Sequence, residues 1–337
     1  MHSGPSPHIP VREGWLARLD EPGLERDIPI IDSHHHLWDR PGNRYLPGDF
    51  QKDLESGHDI RATVYVQCRS FYRASGDEVR RPLGEVERVV QYAVEAAARP
   101  GIALGAAIIG GADLGLGDRV LPVLEEMCDV SDGRLRGIRN PTAWHRDPNI
   151  RSSPVQVEDG ILRDVNWQRG AAILPRLNLS LDIWAYQMQL DDVHALARSL
   201  PRLRVIVNHL GGPLWGNGNI DLQRQWRRGL ARLAELPNVY MKLGGLGMKV
   251  AGYRFHEAEL PPSSQVLAET WRELILTAIE YFGPDRCMFE SNFPVDKGMF
   301  SYGVLWNAFK RITKSYSKDE ISMLFHDTAA MVYKIDV

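Results

Sequence analysis

Cysteine is scarce in this chain. Cys68, Cys128 and Cys287 stand far apart among 337 residues, with no CxxC pair. That excludes a disulfide framework and a thiolate zinc site; free thiols of this kind suit a reducing cytoplasm, where they behave as small buried hydrophobes. A surplus of one charge is also missing. The formal charge is −3 and there is no basic block, which argues against a nucleic-acid partner. No run approaches the ~20 apolar residues of a membrane span, so no membrane contact is expected. The first 27 residues lack a basic stretch followed by an apolar one and do not read as a signal peptide, so the expected location is cytoplasmic. A glycine-rich phosphate loop behind the first apolar run is absent too. "SHHHLWD" stands there instead, which counts against a doubly wound nucleotide-binding sheet.

What the chain does have is alternation. Short β-branched or apolar runs recur at 28–34, 62–68, 101–109, 135–142, 179–186, 204–211, 239–245 and 287–294, each of strand length. Segments of helical period separate them. In 84–99, Val86, Val89, Val90, Ala93, Val94 and Ala97 follow the spacing of one buried face; 190–200, 222–236 and 269–282 read the same way. Ser317 with Glu320 forms a capping box for the final helix. Eight strands alternating with helices predict an α/β fold, a (β/α)8 TIM barrel spanning 28–337 as one domain. Residues 1–27 read as an N-terminal extension, packed on the barrel or partly loose.

Barrel chemistry sits at the C-terminal ends of the strands. Side chains alternate along a strand, so Asp32, His34 and His36 are expected on one face and Ser33 and His35 on the other. His34 and His36, roughly 6–7 Å apart along the backbone, can lean onto one ion, while His35 reads as a packing residue. Other strand ends supply Arg139, Trp184, Tyr186, His209, Lys242, Glu290 and Asn292, with Asp296 just beyond. Arg69, Arg73 and Arg139 are candidate anchors for an acidic substrate, because a guanidinium fork grips a carboxylate with two bonds. Lys242 is a candidate for the same role or for polarising a carbonyl. Trp144, Trp184 and Tyr186 are expected to wall a flat ligand. The long glycine-bearing segment 244–265 suits a mobile flap.

Taken in order, "DSHHHLW", "VNHLGGP", "MKLGGL" and "ESNFPVDK" resemble the amidohydrolase superfamily, in particular the branch that includes 2-pyrone-4,6-dicarboxylate lactonase and sugar lactonases. The resemblance implies a distorted (β/α)8 barrel, a His-x-His pair matching His34 and His36, a strand-six histidine matching His209, and a strand-eight aspartate that activates water. This chain departs from the pattern there: "ESNFP" places Asn292 where the aspartate belongs, and an amide is no base at neutral pH. Strand five also carries Tyr186 and Gln187 in place of the histidine found in many metal-dependent members. The ligand set implied is His34, His36 and His209, holding one divalent ion, zinc first, or working without metal. Glu290, two residues deeper, and Asp296, on a loop able to swing over the mouth, are the candidate replacements for the missing base. The reaction expected is hydrolysis of a lactone, ester or amide in a small carboxylate-bearing molecule. A non-oxidative decarboxylase and a barrel that only binds a ligand stay open as alternatives. Barrels of this kind often pair, so a homodimer is one assembly left open.

Overall fold

The computed structural model describes residues 7–98, 101–153, 155, 157–214 and 219–337. Eight parallel strands run β1 Pro29–His35, β2 Asp59–Val66, β3 Ala103–Gly110, β4 Leu135–Arg139, β5 Ser180–Ile183, β6 Val205–Val207, β7 Val239–Leu243 and β8 Cys287–Phe289, and they lie in the sheet in chain order. Each is followed by a helix: α1 Pro47–Leu54, α2 Leu83–Ala97, α3 Leu121–Val130, α4 Val165–Ala171, α5 Leu190–Ser199, α6 Ile220–Ala234, α7 Ser264–Phe282 and α8 Tyr302–Thr313. The last edge joins the first through the segment beyond β8. His36 N donates to Phe293 O at 2.8 Å and Asn292 N donates to His34 O at 2.9 Å, and Ser33 Oγ donates to Phe289 O at 2.8 Å. The sheet is thereby nearly closed into the expected barrel.

The barrel interior is apolar at its lower end. Ile31, Val64, Val66, Ile109, Ile206 and Met288 meet there, and Ala329, Val332, Tyr333 and Ile335 of the C-terminal segment plug the opening. A packed floor leaves the opposite rim free for chemistry. The Ser317–Glu320 capping box is present, but the final helix is interrupted by a π turn at Met323–Asp327 before Thr328–Tyr333.

Four strands stop short of their apolar runs. β4, β5, β6 and β8 end at Arg139, Ile183, Val207 and Phe289, three to five residues before the sequence pattern gives out. Beyond β6 and β8 the backbone leaves the ladder through left-handed residues, His209 (φ 56°), Leu210 (φ 55°) and Asn292 (φ 55°). Left-handed backbone is uncommon outside glycine and concentrates at functional sites.

One face assignment is corrected. The pairing of β1 with β2 shifts register between Asp32 and His35, and a bulge of this kind re-aims side chains. Asp32 therefore turns away from His34 and His36. It accepts from Ser291 N (2.9 Å), Ser291 Oγ (2.6 Å) and Tyr302 Oη (3.0 Å), and burial pushes its carboxyl up to about 6. His35 faces outward as expected, stacked 4.4 Å from Phe50.

Candidate active site

His34, His36 and His209 gather at the upper rim. His34 lies 4.8 Å from the ring of His36 and 4.7 Å from that of His209, centroid to centroid. Each Nδ1 has an oxygen beside it. His36 Nδ1 is 2.7 Å from Val66 O. His209 Nδ1 is 2.7 Å from Glu290 Oε1, which also accepts the His209 backbone N–H at 3.0 Å. His34 Nδ1 is 2.8 Å from Glu290 Oε2. Carbonyl and carboxylate oxygens only accept, so His36 and His209 carry the proton on Nδ1. Arg139 Nη1 only donates, so His34 Nε2, 3.2 Å from it, accepts. The His34 proton therefore also sits on Nδ1, facing Glu290 at a contact without hydrogen-bond geometry, and all three Nε2 atoms present a lone pair. Burial pushes His34 and His36 well below the usual imidazole range, with Lys242 and Arg139 respectively adding to it. It lowers His209 as well, against the pull of Glu290. The cluster is neutral at pH 7.

Two of those lone pairs face one another, since His34 Nε2 and His36 Nε2 stand 3.2 Å apart. Adjacent nitrogens on a tetrahedral zinc, with bonds of about 2.0–2.1 Å, stand about 3.3 Å apart. The imidazole pair therefore fits a divalent ion. Among the described residues, His34, His209 and Glu290 are the group of three whose potential ligand atoms lie within 4.8 Å of one another. Glu290 Oε1 is bonded to the His209 imidazole and Oε2 lies against that of His34, which makes Glu290 the group that orients the histidines.

The glycine pair of "MKLGGL" explains how this arrangement fits. A Cβ at Gly244 would strike Glu290, and one at Gly245, whose φ is +68°, would strike the His209 ring. The strand-seven motif is thus the space that the His209–Glu290 pair occupies.

Above the cluster opens a cavity of about 100 Å³. Its lining includes His36, His209, Arg139, Arg69, Trp184 and Asn292 from the expected set. Arg139 extends Nη1 to within 3.2 Å of His34 Nε2 and donates to Gln67 O. Arg69 donates to Ser153 Oγ at 2.5 Å. Tyr186 does not line the cavity; its hydroxyl, 3.1 Å from Ser152 Oγ, and its ring support Trp184 from behind. Trp144 lies outside the lining as well.

Three expected site residues are placed elsewhere. Arg73 pairs with Glu87 and Glu126 near the surface. Lys242 is fully buried inside the barrel, its Nζ 2.9 Å from Asp182 Oδ2. Asp296 does not swing over the mouth: it is buried, accepting from Gly247 N at 2.8 Å and from Asn292 Nδ2 at 2.7 Å. Neither Glu290 nor Asp296 lines the cavity. The 244–265 segment is held down by contacts: Tyr253 and Phe255 stack on one another at 5.6 Å and both meet Trp271 edge-on, at 6.2 and 6.1 Å, and Trp15 Nε1 donates to Ala258 O and Glu259 O. Several wall residues carry no sequence signal of their own, among them Gln67, Ser152 and Met248. Trp38 and Arg40, directly behind the triple histidine, were within reach of the strand-end rule.

The amidohydrolase family pattern matches residues 31–335. The chain belongs to the amidohydrolase family. It is a hydrolase, as the four motifs imply, and similar proteins agree. An uncharacterized protein of Sinorhizobium fredii is 32% identical over 92% of this chain and 99% of its own length. An L-fucono-1,5-lactonase of Burkholderia multivorans is 26% identical over 90% of this chain and 96% of that one. A crystal structure of a B. multivorans amidohydrolase with bound zinc superposes with a TM-score of 0.71 at 25% identity, covering 91% of this chain and 99% of that one. No helix among the described residues is long and apolar enough to cross a membrane.

Asn292→Asp tests the departure from the family pattern. The new carboxylate would meet Asp296 where the amide now donates, and two charges at about 4 Å repel by on the order of 4 kcal/mol at an effective dielectric near 20. We expect turnover at least tenfold lower. Asn292→Asp with Asp296→Asn recreates one acid and one amide and should recover much of the loss. Equal activity of the two variants in steady-state assays would remove charge repulsion as the cause.

Proposed function

We propose that this amidohydrolase opens the ring of a small acidic lactone by adding water to its carbonyl. The observation that carries the reading is the three-imidazole cluster, with His36 and His209 held at Nδ1 by oxygen and lining a cavity walled by Arg40, Arg69 and Arg139, and His34 directly beneath them. Guanidinium groups bind carboxylate, and Trp38 and Trp184 offer flat walls for a ring. The likeness to an L-fucono-1,5-lactonase supports a lactone as the substrate class, and the arginines support the acidic group on it.

His34, His36 and His209 would hold one divalent ion through Nε2. The zinc bound in the B. multivorans relative supports that metal. When bound, such an ion supplies Lewis acidity toward the carbonyl and lowers the pKa of water. The remaining work belongs to the chain. Glu290 keeps the His209 imidazole in one tautomer and lies against that of His34, and Arg139 sits where it can meet the substrate carboxylate. Asp296 fixes the rotamer of Asn292, whose amide can hydrogen-bond water or a substrate hydroxyl but cannot take a proton. With both strand-eight acids turned from the cavity, the reading makes catalysis depend on the imidazole cluster.

The test is a panel of sugar 1,5-lactones and 2-pyrone-4,6-dicarboxylate, followed by acid release, before and after dialysis against a chelator. We expect hydrolysis of at least one acidic lactone, a loss of tenfold or more on chelation, and recovery with zinc. Carbon dioxide release from a carboxylated aromatic acid, without lactone hydrolysis, would replace this reading with decarboxylation.

A further inference from the structure

The family pattern begins at residue 31, yet the cavity wall includes His8. The imidazole of His8 lies 5.8 Å from the ring of Trp38 with the planes 10° apart, and Trp38 in turn lies 6.2 Å from His36 at 22°. A row of stacked rings thus runs from the cluster histidine to the N-terminal arm. Arg40 sits over the same indole at 4.3 Å.

The arm is fastened on both sides of the mouth. Trp15 Nε1 donates to Ala258 O and Glu259 O, both at 3.1 Å, in the loop after β7. Glu13 Oε1 lies 3.1 Å from Lys297 Nζ, in the turn after β8. Ile9 lies against Gly298 so closely that a Cβ there would come within 2.6 Å of Ile9 O. These two loops also bring Met248, Asn292 and Val295 to the cavity. An arm that served only to cover surface would need neither a ring in the pocket nor anchors on two of the loops that line it.

We propose that the N-terminal arm forms the outer wall of the substrate pocket, with His8 gripping the part of the substrate remote from the scissile carbonyl. The proposal rests on the lactone reading for its substrate, an acidic ring compound, and on the arm's own geometry for its placement. A wall that holds the substrate equally in the ground and transition states contributes uniform binding, and loss of such a contact raises KM and leaves kcat nearly unchanged.

Two variants reach the arm from opposite sides. His8→Ala removes the ring, and Gly298→Ala pushes Ile9 away without touching the cavity. Each should raise KM about tenfold with kcat within about twofold. The double variant should be no worse than the poorer single one, because both remove the same wall, and His8→Phe should restore most of the affinity. In parallel, iodoacetamide labelling of the pocket residue Cys68, read against Cys128 by peptide mass spectrometry, should speed up severalfold in both single variants. An unchanged KM in His8→Ala, additive effects in the double variant, or unaltered Cys68 labelling would each overturn the proposal. If wild-type protein hydrolyses no lactone, the catalytic reading fails, and the arm's place as pocket wall stands or falls on the labelling.

Discussion

Glu290→Gln is expected to lower turnover by ~10²- to 10⁴-fold while the protein stays folded, the range seen when a group that fixes a catalytic imidazole is neutralised. Glu290 accepts from the Nδ1 and backbone N–H of His209 and sits 2.8 Å from His34 Nδ1. Glutamine keeps the shape but offers one acceptor and one amino group. Whichever imidazole faces the amino group must give up its Nδ1 proton, and the proton then moves to Nε2, where it points into the cluster and removes a lone pair. Steady-state kinetics, with far-UV circular dichroism to establish folding, measures the effect. The same variant should bind zinc 10- to 100-fold more weakly in a competition titration. Turnover close to wild type would show that the tautomers are set by something other than Glu290.

Lys242→Met should instead act on stability. Lys242 and Asp182 are both fully buried, with Nζ 2.9 Å from Oδ2. Asp182 also accepts from Asn208 Nδ2 at 3.1 Å and from Tyr333 Oη at 3.0 Å, which ties the barrel interior to its C-terminal plug. Removing one partner of a buried ion pair leaves an uncompensated charge and costs about 3–5 kcal/mol. The two remaining donors to Asp182 place the expected cost near the low end, about 3 kcal/mol. For a chain of this length the midpoint of thermal unfolding should fall by about 4 °C. Asp182→Asn in the same protein should recover part of the loss, since it removes the uncompensated charge while the amide oxygen can still accept from Asn208 Nδ2 and Tyr333 Oη, which both reach Oδ2. An unchanged midpoint with a raised KM would put the ammonium in contact with substrate.

These two predictions concern residues that looked alike in the sequence, a charge near the end of an apolar run. Depth separates them. A strand's polar residue can sit at the rim or well inside the barrel, depending on strand tilt and stagger, and neither is written in a single run. Lys242 pairs in register with Met288, an interior residue of the lower core, whereas Arg139 ends its strand and reaches the cavity. Arg73 misled for a simpler reason, because a loop arginine beside a strand end can turn to the outer helices, where Glu87 and Glu126 wait.

The alternation of short apolar runs with amphipathic segments was enough to determine the eight-fold barrel, because burial of strands on both faces imposes that composition directly. The spacing of His34 and His36 was legible for the same reason: two residues apart on one strand means one side of the sheet. His209 was visible from its motif. Asp32 was not, since a bulge costs one residue of register and leaves no mark in the letters. The roles of Glu290 and Asp296 were decided by tertiary structure alone. Both are acids near the end of the last strand, but the paired glycines of β7's exit let one slide beneath the histidines while the Gly247 amide and Asn292 hold the other. His8 lay furthest beyond sequence reasoning, for its place in the pocket depends on contacts with residues more than two hundred positions away. Local pattern determines which elements form. Where their side chains meet is settled by closure of the barrel, which brings distant segments together only in the folded chain.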